Sequence, residues 1–81
     1  MNKESNLKKY KNSFIEVFQI KEKELETLEY QSIPDWDSVG HMSLISALEE
    51  GFNIMMEMDD IVDFNSYKKG KELLLKYNIK F

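Results

Sequence analysis

Apolar side chains in this chain recur at helical intervals and nowhere alternate, so a sheet-based fold is the first thing the sequence excludes. Leu7, Tyr10, Phe14, Val17 and Phe18 fall at i, i+3, i+7, i+10 and i+11, which gathers them on one side of a helix. Lys8, Lys9, Lys11 and Glu16 fall on the other side. A second such segment runs from about Ser38 to Phe52, with Val39, Met42, Ile45, Leu48 and Phe52 as its expected apolar stripe and Gly51 and Asn53 as stop signals. Asp59 to Phe64 form an expected short third helix, whose acidic first turn complements the helix dipole. Asn65 or Ser66 can cap a fourth helix through Tyr67, Leu73, Leu74 and Tyr77. No segment has a period of two. The expected fold class is all-α: one domain over residues 1–81, a small four-helix bundle with three main helices and one short third helix.

Between the first two helices the period is lost. Leu25, Leu28, Tyr30, Ile33 and Trp36 still supply apolar anchors, so residues 21–36 are expected to be a long loop pinned to the core. The single proline, Pro34, biases Ile33 away from helix and sets a boundary there. At 81 residues the chain is near the lower limit for a self-sufficient core, and its apolar fraction of 42% is enough to build one.

Charge is unevenly spread. Residues 1–30 balance, residues 31–66 carry eight acids and no lysine or arginine, and the tail from Tyr67 carries five lysines against Glu72. An acidic middle attracts basic protein surfaces and repels nucleic acid, so nucleic-acid binding is not expected. No apolar run approaches the roughly 20 residues that a membrane-spanning helix needs. Lys68, Lys69, Lys71 and Lys76 are expected to form a solvated surface, because their helix lacks a broad apolar opposite face for a membrane. Without cysteine there is no disulfide, thiolate nucleophile or thiolate metal site. A cytoplasmic, monomeric protein is the expectation.

Three candidate chemistries centre on the start of the second helix. Asp35, Asp37 and Gly40 fit positions 1, 3 and 6 of a calcium-binding loop. The fit then fails at Val39 and at Ser46, which stands where a bidentate glutamate is needed, so no metal site is expected. A hydrolase built on Ser38 and His41 lacks an evident oxyanion hole and a third group. The remaining chemistry is attachment: a serine at the mouth of a helix, where N–H groups are unpaired and negative charge is favoured, suits a phosphate ester. Asp37 or Ser38 could equally be the cap; either leaves the hydroxyl exposed.

The run Asp37-Ser38-Val39, then Leu44-Ile45-Ser46-Ala47-Leu48-Glu49-Glu50-Gly51-Phe52, then Ile54, Met56, Asp59-Asp60 and Phe64, resembles the acyl carrier protein family. The resemblance implies a four-helix carrier fold and a non-catalytic carrier. It implies that Ser38 receives a 4′-phosphopantetheine arm from coenzyme A through a separate phosphopantetheinyl transferase, and that the arm holds an acyl or aminoacyl group as a thioester. Asp37 and Val39 would flank the attachment serine, with His41 as a contact for the phosphate or for a partner. Met42, Glu49, Glu50, Asp59 and Asp60 would meet partner enzymes: an acyl-activating ligase and acyltransferases or synthases. Gly40 and Ser43 stand where fatty-acid carriers usually have acids, and Met55 and Glu57 replace a frequent glutamate and proline. With Trp36 and His41, these departures resemble specialised carriers of surface-polysaccharide, glycolipid or secondary-metabolite pathways. The nearest rival within the family is a D-alanyl or other aminoacyl carrier. The alternative from another class is an unmodified helical interaction module. Met42, Met55, Met56 and Met58 could line a deformable cargo pocket, although only Met42 and Met56 have a register that argues for burial.

Overall fold

Rings at every fourth position set the first helix. The computed structural model describes residues 3–81, and in it α1 (Lys3–Phe18) buries Tyr10, Phe14 and Phe18, while Leu7 and Val17 sit half-buried at the margins of that stripe. The helix stops at Gln19, whose φ of 54° is left-handed. The rest of the chain folds as α2 (Ser38–Phe52), α3 (Met58–Asp63) and α4 (Tyr67–Leu74), the last continuing into a single 3-10 turn, Leu75–Tyr77. This is the all-α bundle with a short third helix that the apolar spacing implies. Among the described residues no strand forms; one isolated antiparallel bridge pairs Glu29 with Ser66. No helix among them is long and apolar enough to cross a membrane.

The segment expected to be a long loop is more ordered than that. Glu22–Thr27 is a 3-10 helix, with Leu25 buried inside it and Leu28 buried at its end. Six residues winding at three per turn leave no 3.6-residue stripe to read. Gln31, also left-handed (φ 66°), turns the chain, and its N–H donates to the Trp36 carbonyl at 2.9 Å, which drops the indole into the core. Tyr30 N–H to Asn65 O (2.8 Å) and Tyr67 N–H to Leu28 O (3.0 Å) tie this connection to the start of α4, where the Ser66 hydroxyl caps by accepting from Lys69 N–H.

The core is a cluster of rings. Tyr10, Phe14, Phe18, Trp36, Phe64 and Tyr67 are all buried, and Leu44, Ile45, Leu48 and Leu74 fill the spaces between helices. Most ring pairs meet tilted or edge-on at 5.0–6.5 Å, the arrangement the ring quadrupoles favour. Gly70 lets α4 approach α1: a Cβ there would lie 2.1 Å from the Tyr10 hydroxyl and 2.2 Å from Phe64 Cζ. Across that contact the Tyr10 hydroxyl donates to the Tyr67 carbonyl. Burial pushes the Tyr10 phenol far above its ordinary value, and pushes Tyr67 up to about 12, helped by Glu26 and Glu22.

The second apolar stripe is rotated from its expected position. Leu44, Ile45 and Leu48 face the core, whereas Val39 is 76% and Met42 50% exposed. Each residue advances about 100° around a helix, so stepping by three lags about 60° per step. Val39, Met42, Ile45 and Leu48 therefore spiral halfway round the helix instead of sharing a face. The stop signal is also narrower than expected: Gly51 lies inside α2, and Asn53 alone ends it, at φ 54° and ψ 52°.

Candidate functional site

The mouth of α2 is shaped by a cap on one residue and a close contact at another. Asp37 is extended (φ −103°, ψ −166°); its Oδ1 accepts from Gly40 N–H at 2.9 Å and its carbonyl accepts from His41 N–H at 2.8 Å. Asp37 is thus the N-cap, and Ser38 is the first residue of the helix. Ser38 is exposed, and among the described residues its hydroxyl has no hydrogen-bond partner. The N–H groups of Ser38 and Val39 likewise have no protein acceptor there, which leaves two donors and the positive end of the helix dipole for an anion on Ser38. These residues fit a phosphate ester without rearrangement.

Two positions along the chain, Gly40 carries no side chain for a steric reason. Its ideal Cβ would lie 1.9 Å from the Asp35 carbonyl oxygen and 3.2 Å from Phe18 Cε1. An acid at this position, as in fatty-acid carriers, has no room in this chain.

His41 is placed differently from the expected phosphate or partner contact. Its Nδ1 accepts from the Trp36 indole N–H at 3.0 Å, and its Nε2 lies 2.7 Å from the Ile61 carbonyl. The indole can only donate, so Nδ1 must be the bare nitrogen and Nε2 carries the proton given to Ile61. Both nitrogens are occupied in clasping the Trp36 connection and α3 to α2. The imidazole offers nothing to Ser38, and as placed it is no base for that hydroxyl.

Two of the expected partner-facing acids also turn inward. Asp60 is 5% exposed. Its Oδ1 accepts from the Lys76 ammonium at 2.7 Å and its Oδ2 from the Tyr77 hydroxyl at 2.6 Å, while that hydroxyl accepts from Glu57 N–H. These two donors hold the Asp60 carboxyl below the usual carboxylate range. Asp60 therefore fastens the last turn of the chain to α3. Glu49 is half-buried and accepts from Met56 N–H at 2.9 Å, bracing the α2–α3 connection. Glu50 and Asp59 are exposed. Of the methionines, Met56 is buried, but Met42, Met55 and Met58 are exposed, so these four do not gather around a pocket.

No protein-family model, curated protein or solved structure matches the chain.

The open surface around Ser38 is mildly apolar. Ser38, Val39, Met42, Ser43 and Ser46 line a shallow depression along α2, and Val39, Gly40 and Ser43 share a second one with Val17, Gln19, Pro34, Asp35 and Asp37. Val62 on α3 is also exposed. Sequence reasoning passed over Ile61, and it placed Lys76 on a solvated surface and Tyr77 on a helix without their bonds to Asp60. All three reach their partners across 16 to 20 residues of chain, and one of them acts through its backbone carbonyl. Trp36 was legible as an apolar anchor and beside His41 in the resemblance, but its N–H gave no signal, because a partner five residues ahead fits no helical spacing.

Proposed function

We propose that this chain is a carrier whose Ser38 hydroxyl bears a 4′-phosphopantetheine arm. The observation that carries the reading is an exposed, unpartnered Ser38 hydroxyl at the first position of an Asp37-capped helix, beside unpaired N–H groups. A separate phosphopantetheinyl transferase joins Ser38 Oγ to the phosphoryl group of coenzyme A next to the pantetheine. The pyrophosphate bond breaks, adenosine 3′,5′-bisphosphate leaves, and the serine proton passes to a base on the transferase. Once attached, the arm supplies the terminal thiol that the cysteine-free chain lacks, for holding an acyl or aminoacyl group as a thioester.

The chain's own part is positional. Asp37 and Gly40 fix the direction in which α2 presents Ser38, and tethering raises the effective concentration of cargo at each partner's active site. Val39 and Met42, with Glu50, Asp59 and Asp63 as an acidic surround, are the residues open for partner enzymes: an acyl-activating ligase and acyltransferases or synthases. The departures at Gly40, Ser43, Trp36 and His41 favour a specialised cytoplasmic pathway, such as surface-polysaccharide, glycolipid or secondary-metabolite synthesis, over housekeeping lipid synthesis.

The test is intact-mass measurement after incubation with coenzyme A and a broad-specificity transferase. One phosphopantetheinyl group should be gained, and none by Ser38→Ala. A folded chain that gains nothing, and that comes from its native host without an arm, would instead be an unmodified interaction module.

A further inference from the structure

The routes from Ser38 into the helical core are closed, and this bears on what cargo the arm can hold. Towards α3, the half-buried His41 ring spans the seam, bonded to Trp36 on one edge and to the Ile61 carbonyl on the other. Towards α1 and the connection, Gly40 packs so closely that a methyl group would collide with the Asp35 backbone and press on Phe18. Behind both contacts stand rings that cannot fold aside as an aliphatic chain would. Trp36 lies 5.3 Å from Phe18 and 5.7 Å from Phe14, and His41 lies 6.1 Å from Phe64. Of the deformable side chains, Met42, Met55 and Met58 are exposed, and the buried Met56 follows the end of α2 opposite Ser38. What lies open beside Ser38 is the depression formed by Val39, Met42, Ser43 and Ser46, which mixes methyl groups with hydroxyls.

We propose that the cargo is a short or polar acyl group that stays outside the helices, along the open Val39–Met42–Ser46 face of α2, and that the His41 clasp keeps the interior shut to long hydrocarbon chains. This inference rests on the carrier reading above. A short hydroxyacyl or aminoacyl group loses little by remaining in water. A long alkyl chain would be left exposed, because opening the seam breaks both His41 bonds and strands the buried indole N–H.

The experiment loads Ser38 of the whole chain from acetyl-, 3-hydroxybutyryl-, octanoyl- and dodecanoyl-coenzyme A with a broad-specificity transferase. Intact mass verifies each adduct. Thermal midpoint and the rate of thioester cleavage by hydroxylamine are then read for every member. The expected result is a midpoint that stays level within about 3 °C and cleavage rates within about twofold of one another. Each methylene withdrawn from water adds stability, so an interior site for octanoyl would raise the midpoint by on the order of 10 °C or more. A midpoint climbing with chain length, or cleavage slowed about tenfold or more for the long acyl groups, overturns the closed-core proposal and leaves the carrier reading intact. Absence of any mass gain overturns the carrier reading, and this proposal falls with it.

Discussion

Two glycines in the same helix should respond to alanine with opposite signs. At Gly51 a Cβ meets nothing within 4 Å, and the backbone is already helical. Replacing glycine inside a helix gains about 0.5–1 kcal/mol, by restricting the unfolded chain. Gly40→Ala has the same helical gain, but it places a methyl 1.9 Å from the Asp35 carbonyl oxygen. That carbonyl cannot swing away as a side-chain tip would. Its neighbour Trp36 is held by N–H donation to Ile33 O and by acceptance from Gln31 N–H, and the Trp36 ring is fully buried. Overpacking typically costs about 1–3 kcal/mol, and a backbone obstacle places this site at the upper end. Less the helical gain, Gly40→Ala should be destabilised by about 2 kcal/mol. The gap between the variants is then about 3 kcal/mol, or on the order of 10–20 °C in midpoint for a domain of this size. Urea unfolding followed by circular dichroism measures it, with equal m-values required so that the free energies compare. If both variants moved in the same direction, or differed by less than about 0.5 kcal/mol, the close approach of Asp35 to the α2 mouth would be refuted.

Ser38→Ala should abolish the mass gain yet change unfolding free energy by less than about 0.5 kcal/mol, because Asp37 remains as the cap; a large loss would mean that the hydroxyl is structural. Asp37→Ala removes the bond to Gly40 N–H and should cost about 1 kcal/mol in urea unfolding. His41→Ala leaves the buried Trp36 N–H without a partner and should cost about 1–3 kcal/mol, while Ser38 is still modified by the transferase; loss of modification in a folded variant would restore His41 to the phosphate. Because Asp60 is held below its ordinary value by Lys76 and Tyr77, the unfolded chain binds its proton first. The stabilising contribution is complete above about pH 4, the ordinary aspartate value, and is lost as pH falls through the depressed folded value. Asp60→Asn should therefore show a shallower fall in thermal midpoint on acidification than the parent, and identical slopes would contradict the assignment.

Local chemistry was legible in the sequence, and tertiary chemistry was not. The start of α2 could be read, and the α4 cap and α2 stop were narrowed to Asn65 or Ser66 and to Gly51 or Asn53, because a cap acts within three or four residues of itself. The anchors Leu25, Leu28 and Trp36 were also legible, since large apolar side chains in an otherwise polar stretch must go inward. The face of α2 was misread: i+3 steps on their own drift around a helix, and only the paired i+1 and i+4 neighbours Leu44, Ile45 and Leu48 mark the buried side. The 3-10 helix Glu22–Thr27 had no stripe to betray it. Asp60 and Glu49 looked like surface acids because nothing local distinguishes a solvated carboxylate from one that has found Lys76, Tyr77 or the Met56 N–H. Of the site, the exposure of Ser38 was readable, the cap was narrowed only to Asp37 or Ser38, and the occupation of His41 was not readable.

Trp36 is the single tryptophan of the chain, and its N–H ends on the first turn of α2. Excited at the red edge of indole absorption, beyond where the four tyrosines absorb, the protein therefore emits from one place, two residues before Ser38. Anything that loosens the imidazole from the indole, or lets water reach it, will alter the colour and lifetime of that emission. The site carries its own optical reporter, so loading and unloading of an arm on Ser38, or the arrival of a partner, can be followed on the native chain with no label attached.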